Sequence, residues 1–394
     1  MASGMKVSPE RRRLLQALAA APIALTLPAA AQAAARPRLL VLVYLHGGND
    51  GYNTWVPYTD ARYYSLRPTI AVPRDAVIRI TDRHGFHPAL EPLLPSWEAR
   101  DLALIQGIGY PGITQQHYRD TEIAFTAEDR DIIDQGWAAR ALARRARPGG
   151  IADAVALGLL DIREGDPMGP FRGNRAGVVQ VHHVAELLAK RRISGCVTET
   201  NERGRGLDKR ASREIAAQVL RTRFPEDPLG LAMRAVVDLA MADPTLPVVH
   251  VALNGLDGDK HHSVDTHWKQ LEYHGNALGR LAAALAALRR AMIELGRWDD
   301  TLVATYDEFG RSPVENEDRG THHGAATTHF VMGGRVKGGL LGEPPPIVDV
   351  HWIGGPVPVI DTRQVWATVV ERWWETDASG LFSGRPQALD LLRA

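Results

Sequence analysis

Carboxylates and imidazoles collect in one stretch of this sequence. In residues 301–324, TLVATYDEFGRSPVENEDRGTHHG, an apolar β-branched run stops at Asp307-Glu308, and a glycine-broken polar loop ends in His322-His323. A buried strand that delivers carboxylates at its C-terminal end, with imidazoles returning on the next loop, is how an α/β protein assembles a metal or acid/base site. Other apolar runs end in similar residues: Asp50 follows 38–45, His117 follows 102–106, and Asp265 and His267 precede a long helical stretch. Eight of the fifteen histidines fall between His250 and His329. A mixed carboxylate and imidazole set suits zinc, manganese or iron better than magnesium or calcium, which prefer oxygen ligands. The expected cofactor is therefore one or two divalent ions, zinc foremost, with iron and manganese as alternatives. Ordinary roles stand beside these: Asp50 as a turn residue in a glycine-rich bend, Asp265 as the cap of the long helix, and His274 as a packing residue on it.

The elements that must position these residues alternate. Residues 38–45, RLLVLVYL, read as a strand buried on both faces of a parallel sheet, ended by His46-Gly47-Gly48-Asn49-Asp50-Gly51. Helical patterning follows at 88–97, 132–145, 229–241 and 268–295, and strand patterning at 102–106, 152–157, 247–253, 301–305 and 330–332. A closing helix over 361–374 has Asp361 at its N-cap. This alternation predicts an α/β fold with a doubly wound, mainly parallel sheet, which puts all the strand-end loops on one edge. Residues 160–228 include a basic, polar stretch and read as an inserted lobe.

The 394 residues suffice for one large α/β domain. With 46 basic and 46 acidic residues, nothing favours nucleic acid or an anionic membrane surface as partner. Cys196 is the only cysteine, so an intramolecular disulfide is excluded. Residues 1–33 read as an export signal: Arg11-Arg12-Arg13, an apolar core over 17–28 too short to span a bilayer stably, and Ala31-Gln32-Ala33 as a small-x-small cleavage site. The order Arg11-Arg12-x-Leu14-Leu15-Gln16 resembles a twin-arginine signal, with Glu10 where Ser or Thr is usual. The expectation is a periplasmic or otherwise exported domain over 34–394, with no stable membrane span once the leader is removed. A serine esterase is excluded, because no Gly-x-Ser-x-Gly elbow occurs.

Several of these segments together resemble the domain-of-unknown-function 1501 family, itself placed in the alkaline-phosphatase and sulfatase-like superfamily. The resemblance rests on residues 45–53 (LHGGNDGYN), Gln116-His117-Tyr118, residues 265–270 (DTHWKQ), Glu308-Phe309-Gly310-Arg311, Asn316, residues 320–324 (GTHHG) and Asp361-Thr362-Arg363. It implies an alkaline-phosphatase-like domain with Asp50, Asp265, His267, Glu308 and His323 as metal ligands. The activity implied is metal-dependent hydrolysis of a phosphate or sulfate ester, on a small molecule or a polymer. The family's Ser-His-Phe is here Gln116-His117-Tyr118, which leaves Thr114 or water as nucleophile beside His117. The family's Gly-Thr-Asp-His-Gly has His322 in place of the aspartate, making His322 a further candidate ligand and the site richer in nitrogen. The alternative is a redox-active or substrate-binding exported metalloprotein that works with a partner. Asp257, in the loop before Asp265, is a rival for its role.

Overall fold

The computed structural model describes residues 37–145, 152–158, 168–173, 177–181, 183–190, 220–253, 263–350 and 355–393. Residues 1–33, expected to be an export signal, Asp257 and much of 160–228 lie outside these residues. Strand β1 (Leu39–Leu45) is the centre of a nine-stranded sheet. Its seven apolar residues are all buried, as expected of a strand covered on both faces. β2 (Leu102–Gly109), β3 (Ala154–Leu157), β4 (Val178–Val181), β5 (Val248–Leu253) and β6 (Thr301–Tyr306) share its direction. The hairpin strands β7 (Gly310–Glu315) and β8 (Thr321–Gly324) form a separate antiparallel pair. β9 (Thr327–Gly333) returns into the main sheet and runs antiparallel to both β6 and β2. β10 (Gly339–Leu341) and β11 (Ile360–Asp361) extend the sheet beyond β2. The order along the sheet is β10-β2-β9-β6-β1-β5-β3-β4, with β11 beside β2.

Side-chain alternation along β1 divides the core. Leu39, Val41, Val43 and Leu45 pack with the helices Pro228–Ala242 and Gln270–Glu294. Leu40, Leu42 and Tyr44 face the helices His117–Thr126, Trp137–Arg144 and Thr362–Thr368. Helices therefore cover both faces, and the mainly parallel, doubly wound sheet is realised. The expected helix over 132–145 is shorter and begins at Trp137, whose indole stacks on Trp366 at 4.5 Å between ring centroids. Asp361 caps the last helix through a capping box with Gln364. Val178–Val181 pairs in parallel with β3, so part of the expected insert belongs to the main sheet.

One buried cation fixes the chain leaving β1 to the β7–β8 hairpin. Arg67 is fully buried; its Nη1 donates to Asp50 at 2.6 Å and to Asn53 at 2.8 Å. Its Nε and Nη2 donate to the carbonyls of Pro313 and Ser312 at 2.8 and 2.5 Å. Burial opposes ionisation of Asp50, but Arg67 outweighs it and holds the carboxyl below its usual range. The stabilisation is present above the ordinary carboxylate range and is lost as pH falls through the lower folded value. Replacing Arg67→Ala leaves a buried carboxylate uncompensated and should cost about 3–5 kcal/mol of unfolding free energy. Urea denaturation checks this, and Arg67→Lys should recover little, because an ammonium cannot reproduce the fork.

Candidate metal centre

The strand ends of β1, β2, β5 and β6 lie on one edge of the sheet, and their loops bring together two overlapping sets of side chains. His117, Asp265, His267 and His323 each offer one atom, all within 4.8 Å of one another. His46, His117 and Glu308 form a second such group, sharing His117.

Close backbone approach makes this convergence possible. After β1 the chain turns at Gly47 (φ +100°) and Gly48 (φ +81°), which are left-handed conformations. A Cβ on Gly47 would lie 2.2 Å from the Cβ of Asp265, and one on Gly48 would meet the Phe309 ring at 2.5 Å. Arg311, itself only 1% exposed, packs against this turn. Its guanidinium donates to the carbonyls of Gly47 and Gly48, to the Thr321 carbonyl, and to Asp265 Oδ1 at 2.5 Å. Burial raises the Asp265 carboxyl, but Arg311 first, then His267 and His117, hold it far below its ordinary range. It is a permanent anion at neutral pH.

The histidines are held by their outer nitrogens. His117 opens the helix His117–Thr126, with Nδ1 3.1 Å from Glu308 Oε1. His323 Nδ1 lies 2.6 Å from the Gln115 carbonyl, which can only accept, so this nitrogen carries the proton. Nε2 of His323 is left as a lone pair, 3.0 Å from Nε2 of His267. That nitrogen is 3.1 Å from Asp265 Oδ1, and His117 Nε2 is 3.8 Å from the same oxygen. Burial and the Arg311 charge push His323 down to about 3, so its imidazole is neutral at neutral pH. The Asn316 amide donates to the His267 carbonyl at 2.8 Å, while its oxygen accepts from Gly320 N at 2.8 Å, tying the hairpin to this loop.

Glu308 is completely buried. It accepts from Tyr44 Oη at 2.9 Å, Gly47 N at 2.8 Å and His117. Burial raises its carboxyl, but His117 and His46 prevail and it stays below the usual value. Neighbouring Asp307 faces elsewhere, bonded to His329 at 2.9 Å and Asn49 N at 3.0 Å. Burial pushes its carboxyl up despite His329.

The structure brings His117, Asp265, His267, Glu308 and His323 together, and separates three other candidates from them. Asp50 is corrected from ligand to anchor: it caps the short helix Gly51–Thr54 and pairs with Arg67. His322 points the other way because side chains alternate across β8, and its Nε2 lies 3.9 Å from Glu317. The hydroxyl of Thr114 is engaged by Asp120 at 3.0 Å, a poor arrangement for a nucleophile. Asp265 does not cap the long helix, whose N-cap is Lys269. His274 packs instead, with its ring on His87 and Nε2 3.0 Å from Asn49 Oδ1. Sequence reasoning left out His46 and Arg311, although both lie in the quoted motifs and His46 is itself the first residue after β1.

The donor chemistry fits a divalent ion. Zinc–nitrogen bonds of about 2.1 Å at a tetrahedral angle put ligand atoms roughly 3.4 Å apart; His323–His267, His267–Asp265 and His117–Asp265 are 3.0, 3.1 and 3.8 Å apart, and all four atoms lie within 4.8 Å of one another. Two imidazole Nε2 atoms facing each other share at most one proton, whereas a cation between them accepts from both. The outer nitrogens of His117 and His323 are held by a carboxylate and a carbonyl, the arrangement that orients metal-bound histidines.

Residues 198–350 match the family described as "Protein of unknown function (DUF1501)". The matched span holds Asp265, His267, Glu308, Arg311 and His323, while His46 and His117 precede it. No curated protein matches the chain. Among solved structures, the chain is similar to the lipoteichoic acid synthase LtaP from Listeria monocytogenes, at 9% identity and TM-score 0.43, over 89% of this chain and 74% of that one. The phosphonate monoester hydrolase SpPMH from Silicibacter pomeroyi is similar at 10% identity and TM-score 0.42, over 89% and 76%. The C-terminal periplasmic domain of EcEptC from Escherichia coli, in a complex with Zn, is similar at 11% identity and TM-score 0.36, over 76% and 73%.

Asp120 underlies the His117 loop. Fully buried, it accepts from Thr114 N at 2.7 Å and Gln116 N at 3.1 Å, on either side of Gln115, which has a left-handed φ of +62°. Replacing Asp120→Ala should release the Gln115 carbonyl from His323 and weaken metal binding about 10–100-fold. Competition with a chromophoric chelator measures this, with far-UV circular dichroism unchanged.

Proposed function

We propose that this chain is an exported metal-dependent hydrolase-like enzyme acting on a phosphate or sulfate ester. The observation that carries the reading is the convergence of His117, Asp265, His267 and His323, with the outer nitrogens of His117 and His323 already held. Zinc is the first choice for three imidazoles and one carboxylate, with iron and manganese next. A bound ion would supply Lewis acidity toward an ester oxygen. The residues around it do the rest. Arg311 keeps Asp265 ionised, Glu308 fixes the ring of His117, and Gln115 fixes the tautomer of His323. Thr114 is bound to Asp120 and position 116 is a glutamine, so water is the nucleophile this site favours. The N-terminal arginines and apolar run support export, with the twin-arginine route as the specific form.

A second reading keeps the centre without ester hydrolysis. Three imidazoles with one carboxylate also suit iron or copper in a redox or substrate-binding protein.

Elemental analysis of purified protein separates these. Zinc in wild type, lost in His267→Ala and His323→Ala but retained in His322→Ala and Thr114→Val, is the expected pattern. Metal-free, fully folded wild type would falsify the centre; iron with oxygen-dependent chemistry and no ester turnover would favour the second reading. Cell fractionation of the full chain tests export, and Arg11→Lys with Arg12→Lys should strand it in the cytoplasm.

A further inference from the structure

Away from the centre, a cavity of 270 Å³ opens beside the short helix that follows β1, and none of its lining residues belongs to the centre. That volume lies near the lower end of the ~300–1,000 Å³ typical of small-molecule sites. One wall is set by a small antiparallel sheet of Trp55–Val56, Gly85–Phe86 and Ile78–Arg79. Trp55 pairs opposite Phe86, and its indole stacks on His84 with 5.8 Å between ring centroids and 5° between planes. A second wall is Pro344-Pro345-Pro346, whose fixed φ angles stiffen it. Tyr52 Oη donates to the Pro346 carbonyl at 3.1 Å and ties this segment to the helix Gly51–Thr54. The cavity is therefore built from tethered segments.

Several polar groups of this lining have no partner among the described residues. Thr328, on β9, is 1% exposed, yet its hydroxyl makes no hydrogen bond to the protein. Its Oγ1 faces Gly51, where a Cβ would lie only 3.0 Å away. Trp55 is buried as well, and its indole N–H has no acceptor. A buried donor left without a partner costs about 1–3 kcal/mol, which a ligand supplying an acceptor would recover. Arg83 is exposed and makes no ion pair, whereas Arg62 is held by Asp60 through Nε and Nη2 at 3.3 and 3.0 Å. Burial first, then the Arg83 charge, lowers the His84 imidazole below its ordinary value, so it stands neutral at neutral pH. The lining thus runs from buried donors to an unpaired cation at the solvent.

These groups decide the class of ligand. Asp60 is the only carboxylate of the lining, and Arg62 already occupies it. No free anion is left to hold a metal or an organic cation. Two guanidiniums and one carboxylate give the lining one net positive charge, which suits a monoanion. The indole and the prolines supply apolar surface for the rest of the molecule. We infer that this cavity binds a small organic carboxylate, recognised by the Arg83 guanidinium and the unpartnered Thr328 and Trp55 donors, with its apolar body against residues 344–346. A carboxylate meets a guanidinium through charge-assisted bonds, the strongest polar contacts this lining offers. The site is independent of the metal centre and of the hydrolase reading.

Isothermal titration calorimetry on the purified full chain tests this, with benzoate as the probe, benzamide as its neutral counterpart and inorganic phosphate as a second anion. Benzoate should bind, and benzamide about tenfold more weakly. Arg83→Gln and Thr328→Val should each weaken benzoate about tenfold. Arg83 is exposed, so its variant should unfold at the wild-type temperature. Chelator treatment and His267→Ala should leave benzoate binding intact. Benzoate that fails to bind, or that binds both variants as tightly as wild type, overturns the site. Loss of binding on chelation places benzoate on the metal and overturns it equally. Equal affinity for benzamide overturns the anion, and phosphate binding that needs Arg83 while benzoate does not bind overturns the carboxylate. Metal-free protein that still binds benzoate through Arg83 supports this site and defeats the centre instead.

Discussion

The site depends on a buried guanidinium held by the carbonyls of two adjacent glycines. Arg311 reaches from the β7–β8 hairpin to the carbonyls of Gly47 and Gly48, and to Asp265 on the loop before the long helix. Three segments distant in the chain are joined by one planar cation whose donors are spread across the ring of acceptors around it. A side chain at 47 would collide with Asp265 and one at 48 with Phe309, and the positive φ values there accompany two carbonyls that face the same group. Burying this charge is tolerable only because Asp265 and three carbonyls surround it.

Around that clamp the groups sort by charge. Asp265 and Glu308 are held ionised, one by arginine and the other by histidines, while burial and the nearby cation keep His323 neutral. Anionic carboxylates beside the neutral imidazole of His323 are protonation states suited to a divalent ion. A parallel sheet makes this economical, since one edge gathers the ends of four strands.

Much of this was legible because strand ends announce themselves. His117, Asp265, His267, Glu308 and His323 follow or border apolar runs, and the alternation of elements fixed which edge they would share. The misreadings have local physical causes. An aspartate after a strand and two glycines can equally cap a helix, and the partner that decides for Asp50 is Arg67, on another segment. The choice between His322 and His323 is a matter of strand parity, set by the pairing of Arg311 opposite His323. Thr114 had a hydroxyl at a plausible place, but Asp120 one helical turn into the next element had already engaged it. Arg311 was invisible as a buried residue because arginines near turns ordinarily face water, and the acceptors that hold it, at Gly47, Gly48 and Asp265, lie on other segments.

The antiparallel course of β9 has a consequence for how the molecule assembles. Because the hairpin hands the chain straight back into the sheet, no crossover helix separates Glu308 from His323. The contacts of Arg311 with Asp265 and of His323 with His267 span 46 and 56 residues. Those of His117 with Glu308 and of His323 with Gln115 span 191 and 208. Short loops close at lower entropic cost than long ones, so the C-terminal half of the centre can form early and wait. His117 joins the group only when β2 has paired with β9, so the complete cluster reports the long-range pairing of the sheet.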